Sequence, residues 1–216
     1  MACWSPESAT KAYLKAIKMG KSAKEPDVSE FISALVAGNN AQLMVVACAG
    51  AADSTTLALV AAAQQTGGRV VCILREFDKL NPSIEFLQHN AMHVEFVIGD
   101  AKTLLVNDYR RADCVAIDCN INNFEPIFKT ARRIGGSTAI VLGYNALQMG
   151  SWRCASFNAH LLPIGESGLL MTRMTRKGSD LGVSEKKSRW IVKVDQCTGE
   201  EHVFRVRSPH GKSLEA

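Results

Sequence analysis

LMVVACAGAADSTTLALVAAAQQTGGRVVCI, residues 43–73, decides how the chain is read. Leu43–Cys48 is a short apolar run of the kind that forms a buried strand. A turn of small residues follows, and either Asp53 or Ser54 can cap the helix after it. That helix is apolar, and Gly67-Gly68 stop it. Arg69–Leu74 is a strand again. Strand, turn, helix and strand make a βαβ unit. Its turn brings bare backbone N–H groups to a helix N-terminus, a place for the polar part of a nucleotide-like ligand. Gly50 is the one residue of the turn that takes positive φ freely.

The same rhythm extends both ways. Ser5-Pro6 opens a first helix with Ser as cap and Pro at its first position. Ala9, Tyr13, Ala16 and Ile17 share one of its faces, and Gly20 ends it. KSAKEPD is a polar connector before a second helix over Val28–Ala37. Downstream, Asn81-Pro82 is expected to cap a helix ending near His89. Strands are expected at His93–Ile98, Cys114–Asp118 and Thr138–Leu142. Helices carrying Leu104-Leu105 and spanning Phe124–Arg133 separate them, and Gly135-Gly136 turn the chain into the last strand. Such alternation indicates a parallel sheet covered by helices on both faces. The ending differs. HLLPIGESGLLMTRM, from His160, reads as a closing antiparallel hairpin. Arg173–Arg189 reads as a basic loop, and RWIVKVDQCTGEEHVFRVR as a second hairpin. Three parts follow: a helix and connector (1–27), an α/β domain (28–174), and a basic loop with a β extension and tail (175–216).

Composition narrows the classes. The chain has 216 residues, 47% hydrophobic and 21% charged, with a net charge of +4. That suits one globular domain with a sizeable core. The basic run Arg173, Arg176, Lys177, Lys186, Lys187 and Arg189 has no interleaved aromatic platform, which argues against nucleic-acid binding. The 7 cysteines are odd in number and form no Cys-x-x-Cys pair. They read as buried reduced thiols, which places the chain in the cytosol or nucleus. No run reaches the length of a membrane span.

Several segments, in order, resemble the cation-dependent O-methyltransferases of the caffeoyl-CoA and catechol type, a branch of the Rossmann-like class I S-adenosylmethionine-dependent methyltransferases. ACAGAADSTTLALVAAA stands where that family has its E-I-G-x-x-x-G-Y-S turn and helix. HVEFVIGDA resembles its strand three, and VAIDCNINNF its V-D-A-D-K-x-x-Y strand-four end. VLGYNALQMGS resembles its G-Y-D-N-x-L-W-x-G-S segment, and LLPIGESGLLMTR its L-P-x-G-D-G closing hairpin. The likeness covers residues 28–174. The whole chain also looks like a plant family of uncharacterised proteins assigned this fold. The resemblance implies a mostly parallel seven-stranded sheet, S-adenosylmethionine as cofactor, and a small-molecule acceptor.

Carried over residue by residue, the resemblance assigns Ala49, Gly50, Asp53 and Ser54 to the cofactor turn. It puts Asp100 and Ala101 beside the adenine, and Asp118 and Tyr144 in the crevice. Strand two's expected acid, which accepts from ribose hydroxyls, falls on Leu74. Glu76 can replace it if the strand continues, because it would point the same way. The acid at the end of strand one falls on Ala47. Of the family's cation ligands, the first matches Asp118, and the Asp-Asn pair falls on Asn145 and Ala146. That leaves one carboxylate, too little for a hard divalent cation, so no metal is expected.

Asp118 is the candidate general base, or else a turn cap. Asn145 is the second candidate catalytic residue, with a plain turn as the alternative. Asp100 and Asp53 are candidate ligand contacts and also candidate helix caps. Trp152 can stack on a ligand or pack in the core. Two functions follow: methyl transfer without a metal, or a fold retained as a ligand-binding or protein-interaction scaffold. A homodimer or a protein partner would engage through the C-terminal extension.

Overall fold

The computed structural model describes residues 4–20, 27–134, 139–149, 159–173, 188–194 and 201–207. Trp152 and most of the basic loop lie outside them. Two compact units divide the chain, Met1–Arg176 and Lys177–Ala216.

The first unit runs α1 (Pro6–Met19), α2 (Val28–Gly38), β1 (Leu43–Ala47), α3 (Ser54–Thr66), β2 (Arg69–Leu74), α4 (Leu80–Leu87), β3 (Val94–Ile98), α5 (Ala101–Asn107), β4 (Cys114–Asp118), α6 (Phe124–Ile134), β5 (Ile140–Tyr144), β6 (His160–Leu162) and β7 (Leu169–Arg173). Its sheet has seven strands in the order β3-β2-β1-β4-β5-β7-β6. β1 to β5 are mutually parallel, and β7 enters antiparallel between β5 and β6. This is the Rossmann-like methyltransferase fold. The order reverses between β1 and β4, and open α/β sheets bind ligands above such a reversal.

Strand periodicity sorts the core into two layers. Met44, Val46, Cys72, Leu74, Ala116, Leu142 and Tyr144 face one way, onto Ile32 and Val36 of α2 and Leu59 of α3. Val45, Ala47, Val71, Ile73, Val115, Ile117 and Val141 face the other way, onto Leu105 of α5 and Phe128 of α6. α3 is buried along most of its length, because α1 lies across α2 and α3.

Capping is local chemistry and follows the sequence. Ser5 accepts from Ser8, Asp53 from Thr55 and Asp100 from Thr103. Gly67 ends α3 at φ 72, the left-handed conformation glycine adopts without strain.

Several boundaries move. β5 runs over Ile140–Tyr144 rather than Thr138–Leu142. Its register with β4, Cys114↔Ile140 to Asp118↔Tyr144, carries it as far as β4 goes. Tyr144 is therefore a strand residue. Asn81-Pro82 does not cap α4. A 3₁₀ turn over Phe77–Lys79 winds the chain into α4 from Leu80, and Pro82 sits in the first turn, where no N–H partner is needed. Arg173 ends β7 and Arg189 lies within a strand, so neither belongs to a loop.

The described residues of the second unit form an antiparallel hairpin, β8 (Ser188–Val194) with β9 (Glu201–Arg207), in register from Ser188↔Arg207 to Val194↔Glu201.

Candidate functional site

The turn after β1 is short of glycine and is held from outside instead. Ala49 N donates to Asp118 Oδ2 at 3.4 Å, and Ala52 N to Ser83 Oγ of α4 at 2.8 Å. Ser83 Oγ in turn donates to Lys79 O. Gly50 does not use positive φ, contrary to expectation. Nothing lies within 4 Å of where its Cβ would stand, so it borders open space.

Beside this turn is a cleft of about 550 Å³, the size of a small-ligand pocket. Four strand ends build it. Ala47, Cys48 and Ala49 come from the end of β1 and its turn, and Ile73 and Arg75 from the end of β2. Gly99 and Asp100 come from just after β3, Ala101 and Lys102 from the start of α5, and Asn120–Asn123 from just after β4. Pro126 and Ile127 of α6 close one side. Its walls mix apolar side chains with carboxamides and charges.

The expected residues fall into separate places. Ala49, Asp100 and Ala101 line the cleft. Asp100 Oδ2 accepts from both Thr103 N and Thr103 Oγ1 at 2.8 Å. Those bonds hold its carboxyl below the usual carboxylate range, and the nearby Lys102 and Arg75 add to the effect. Glu76 does not line the cleft. β2 stops at Leu74, and Glu76, exposed, begins the next turn. Arg75 takes the place by the cleft. Ser54 is the exposed first residue of α3.

Asp53, Asp118, Tyr144 and Asn145 form a second group at the ends of β1, β4 and β5. Asp118 is 7% exposed. Its Oδ1 accepts from Asn145 Nδ2 at 2.9 Å and Asn120 N at 3.0 Å. A carboxylate only accepts, so the Asn145 amide must turn its NH₂ inward. Asn145 does this from φ 60, a left-handed conformation asparagine tolerates. Burial raises the Asp53 carboxyl to about 6, and the Asp118 charge adds to it, while the Thr55 and Thr56 N–H groups pull the other way. Tyr144 is buried on the α2–α3 side, away from the cleft. Its hydroxyl lies next to the Cys48 thiol without a hydrogen bond of ordinary length. Burial first, then Cys48, Asp53 and Asp118, pushes its phenol well up.

The donors near Asp118 do not suit a magnesium-type cation. Of the two carboxylates in this group, Asp53 caps α3, and two N–H groups already occupy Asp118 Oδ1. Among the described residues no group of three His, Cys, Asp or Glu side chains could hold a metal.

Reading by sequence missed Ser83, which pins the turn from α4, and Lys102 at the cleft. Ser83 left no local signal. Lys102 follows the Asp100-Ala101 pair, and strand-end position alone was the available clue.

The chain belongs to the DUF1442 family. That family is described as "Protein of unknown function (DUF1442)", and it matches residues 1–206. No curated protein matches the sequence. Solved structures share the fold at low identity. A Podospora anserina methyltransferase, PaMTH1, bound to S-adenosylhomocysteine, has a TM-score of 0.57 at 13% identity, over 81% of this chain and 90% of its own. A Staphylococcus aureus protein assigned to the caffeoyl-CoA O-methyltransferases gives 0.56 at 14%, over 79% and 93%. The O-methyltransferase TomG of Streptomyces achromogenes, in complex with S-adenosylmethionine, gives 0.55 at 16%, over 81% and 92%. At these identities the likeness speaks for the fold. Among the described residues of this DUF1442 member, no helix is long and apolar enough to cross a membrane.

Proposed function

We propose that this DUF1442 protein is an S-adenosylmethionine-dependent methyltransferase that acts on a small-molecule acceptor and needs no metal. The cleft over the carboxyl ends of β1 to β4 carries the reading. It lies where open α/β sheets bind nucleotide-like ligands, on a fold shared with methyltransferases solved with this cofactor or with S-adenosylhomocysteine. Four buried free cysteines support a reducing compartment, the cytosol or nucleus.

S-adenosylmethionine, when bound, supplies a methyl group on a positively charged sulfur. The chain's part is to bind and orient. Ile73, Ile121 and Ile127 offer apolar faces to a base, and Asn120 and Asn122 offer carboxamides to hydroxyls. Asp118 stands behind Ala49 and not on the cleft lining. Its Oδ2 carries one long hydrogen bond, from Ala49 N, and as the candidate base it would take a proton from an acceptor hydroxyl that reaches past the β1 turn. Asn145, donating from Nδ2 to Asp118 Oδ1, fixes the carboxylate's orientation. Most of the rate gain would come from alignment of the two reactants.

A second reading is a binding or scaffold protein that keeps the fold without the chemistry. It is favoured by an Asp118 already supplied with three donors and by the absence of an acid at the cleft where β2 ends. Titration calorimetry with S-adenosylhomocysteine separates the two. The enzymatic reading expects binding at roughly micromolar ligand, weakened about tenfold or more by Ala49→Leu, whose side chain would enter the cleft. No heat at about millimolar ligand ends that reading.

A further inference from the structure

Two cations face the cleft that methyl transfer does not use. Arg75 stands just past the end of β2, and Lys102 is the second residue of α5; both line the cleft. Neither forms an ion pair or hydrogen bond with a described residue; other exposed cations such as Lys18, Arg110 and Arg111 are unpaired too, but they do not line the cleft. Among the described residues, Asp100 is the one carboxylate lining the cleft, and Thr103 already donates to it twice. This rim therefore carries a surplus positive charge, borne by two exposed side chains at the edge of a concavity.

The place of that charge matters. In nucleotide-binding α/β sheets, an acid past the second strand takes the ribose hydroxyl, and an arginine nearby accommodates a phosphate on that ribose. Here Leu74 is buried, Glu76 turns away into the Phe77–Lys79 turn, and Arg75 remains. An arginine fork fits a phosphate dianion in two parallel bonds, and Lys102 would add a point charge. At the opposite end, Asp53 and Asp118 put carboxylates by the β1 turn, which disfavours a phosphate on the 5′ side.

We propose that the β2–β3 rim of the cleft is a phosphate site, and that the cleft takes a nucleoside phosphorylated on its ribose ring, at the 2′ or 3′ oxygen. The inference goes beyond the methyltransferase reading, since S-adenosylmethionine carries no phosphate.

Calorimetry on the full chain at low salt tests it, with adenosine, its 2′-, 3′- and 5′-phosphates, S-adenosylhomocysteine and inorganic phosphate as separate probes. The 2′- or 3′-phosphate should bind at least about tenfold more tightly than adenosine. Arg75→Ala and Lys102→Ala should each cut that ratio towards one, Arg75→Lys should restore part of it, and Arg69→Ala should leave it intact. Equal affinity for adenosine and its ring phosphates overturns the proposal. So does a 5′-phosphate bound as tightly as the ring phosphates, a ratio that survives both alanine variants, or inorganic phosphate bound as well as the nucleotides. S-adenosylhomocysteine bound with no phosphate gain sinks this inference and leaves the methyltransferase reading standing. A phosphate gain without S-adenosylhomocysteine binding does the reverse. If no nucleoside probe binds, both fall.

Discussion

Asp53 is a helix cap that costs stability when charged, and Asp53→Asn isolates that cost. The carboxyl is half-buried and raised from 3.8 to about 6, by burial first and the Asp118 charge second. Tyr144 and Cys48 are the other titratable groups facing it, and both are pushed up, so they stay neutral in this range. The folded state thus holds a proton that the unfolded state releases between those two values. Stability falls as pH rises through about 4 to 6, then levels off with the whole penalty present. A shift of about 2 units corresponds to at most about 3 kcal/mol, and partial exposure brings the expectation nearer about 1 kcal/mol. Asparagine caps about as well as aspartate, so the Thr55 N–H keeps its acceptor. Urea unfolding of both proteins from about pH 4 to about pH 8 is the assay. The two should be equally stable near pH 4, and Asp53→Asn should be ahead by about 1 kcal/mol or more at pH 7.5. Parallel profiles would refute the argument. Asp118→Asn should lower the midpoint of the wild-type decline, because it removes the second cause.

Asn145→Ala should cost about 2–3 kcal/mol by urea unfolding, since it strips a donor from buried Asp118 and puts alanine at φ 60. Asn145→Gly keeps the backbone at ease and should cost about 1 kcal/mol less. Ser83→Ala should cost about 1–3 kcal/mol and speed hydrogen exchange at Ala52, whose buried N–H loses its acceptor. Gly50→Ala should leave the thermal midpoint unchanged or slightly raised, because its Cβ meets open space and no positive φ is required. A drop of several degrees would show that the turn needs glycine after all.

Local features were legible in the residues. The strand cores of β2 and β4 came out at their ends, since runs such as RVVCIL and CVAID have one reading when bounded by turn residues. Asp53 and Asp100 were readable as caps because capping depends on residues two or three positions away. Where a strand stops is harder. β5 ends where its partner β4 ends, and that pairing is not local.

The site shows the same division. Its placement above the β1/β4 reversal follows from the alternation of strands and helices, which the order of apolar runs alone determines. Which side chain reaches the cleft does not. Arg75 falls on the face of Ile73, which lines the cleft, and Glu76 on the face of buried Leu74, so the alternation at the end of β2 presents the arginine and not the acid. Ser83 under Ala52, and Asn145 against Asp118 from 27 residues further on, arise only once α4 and β5 are packed. Patterning and capping draw on neighbours along the chain, so composition and order suffice for them. Burial, charge balance and the satisfaction of a buried carboxylate draw on neighbours in space, and only the packed chain supplies those.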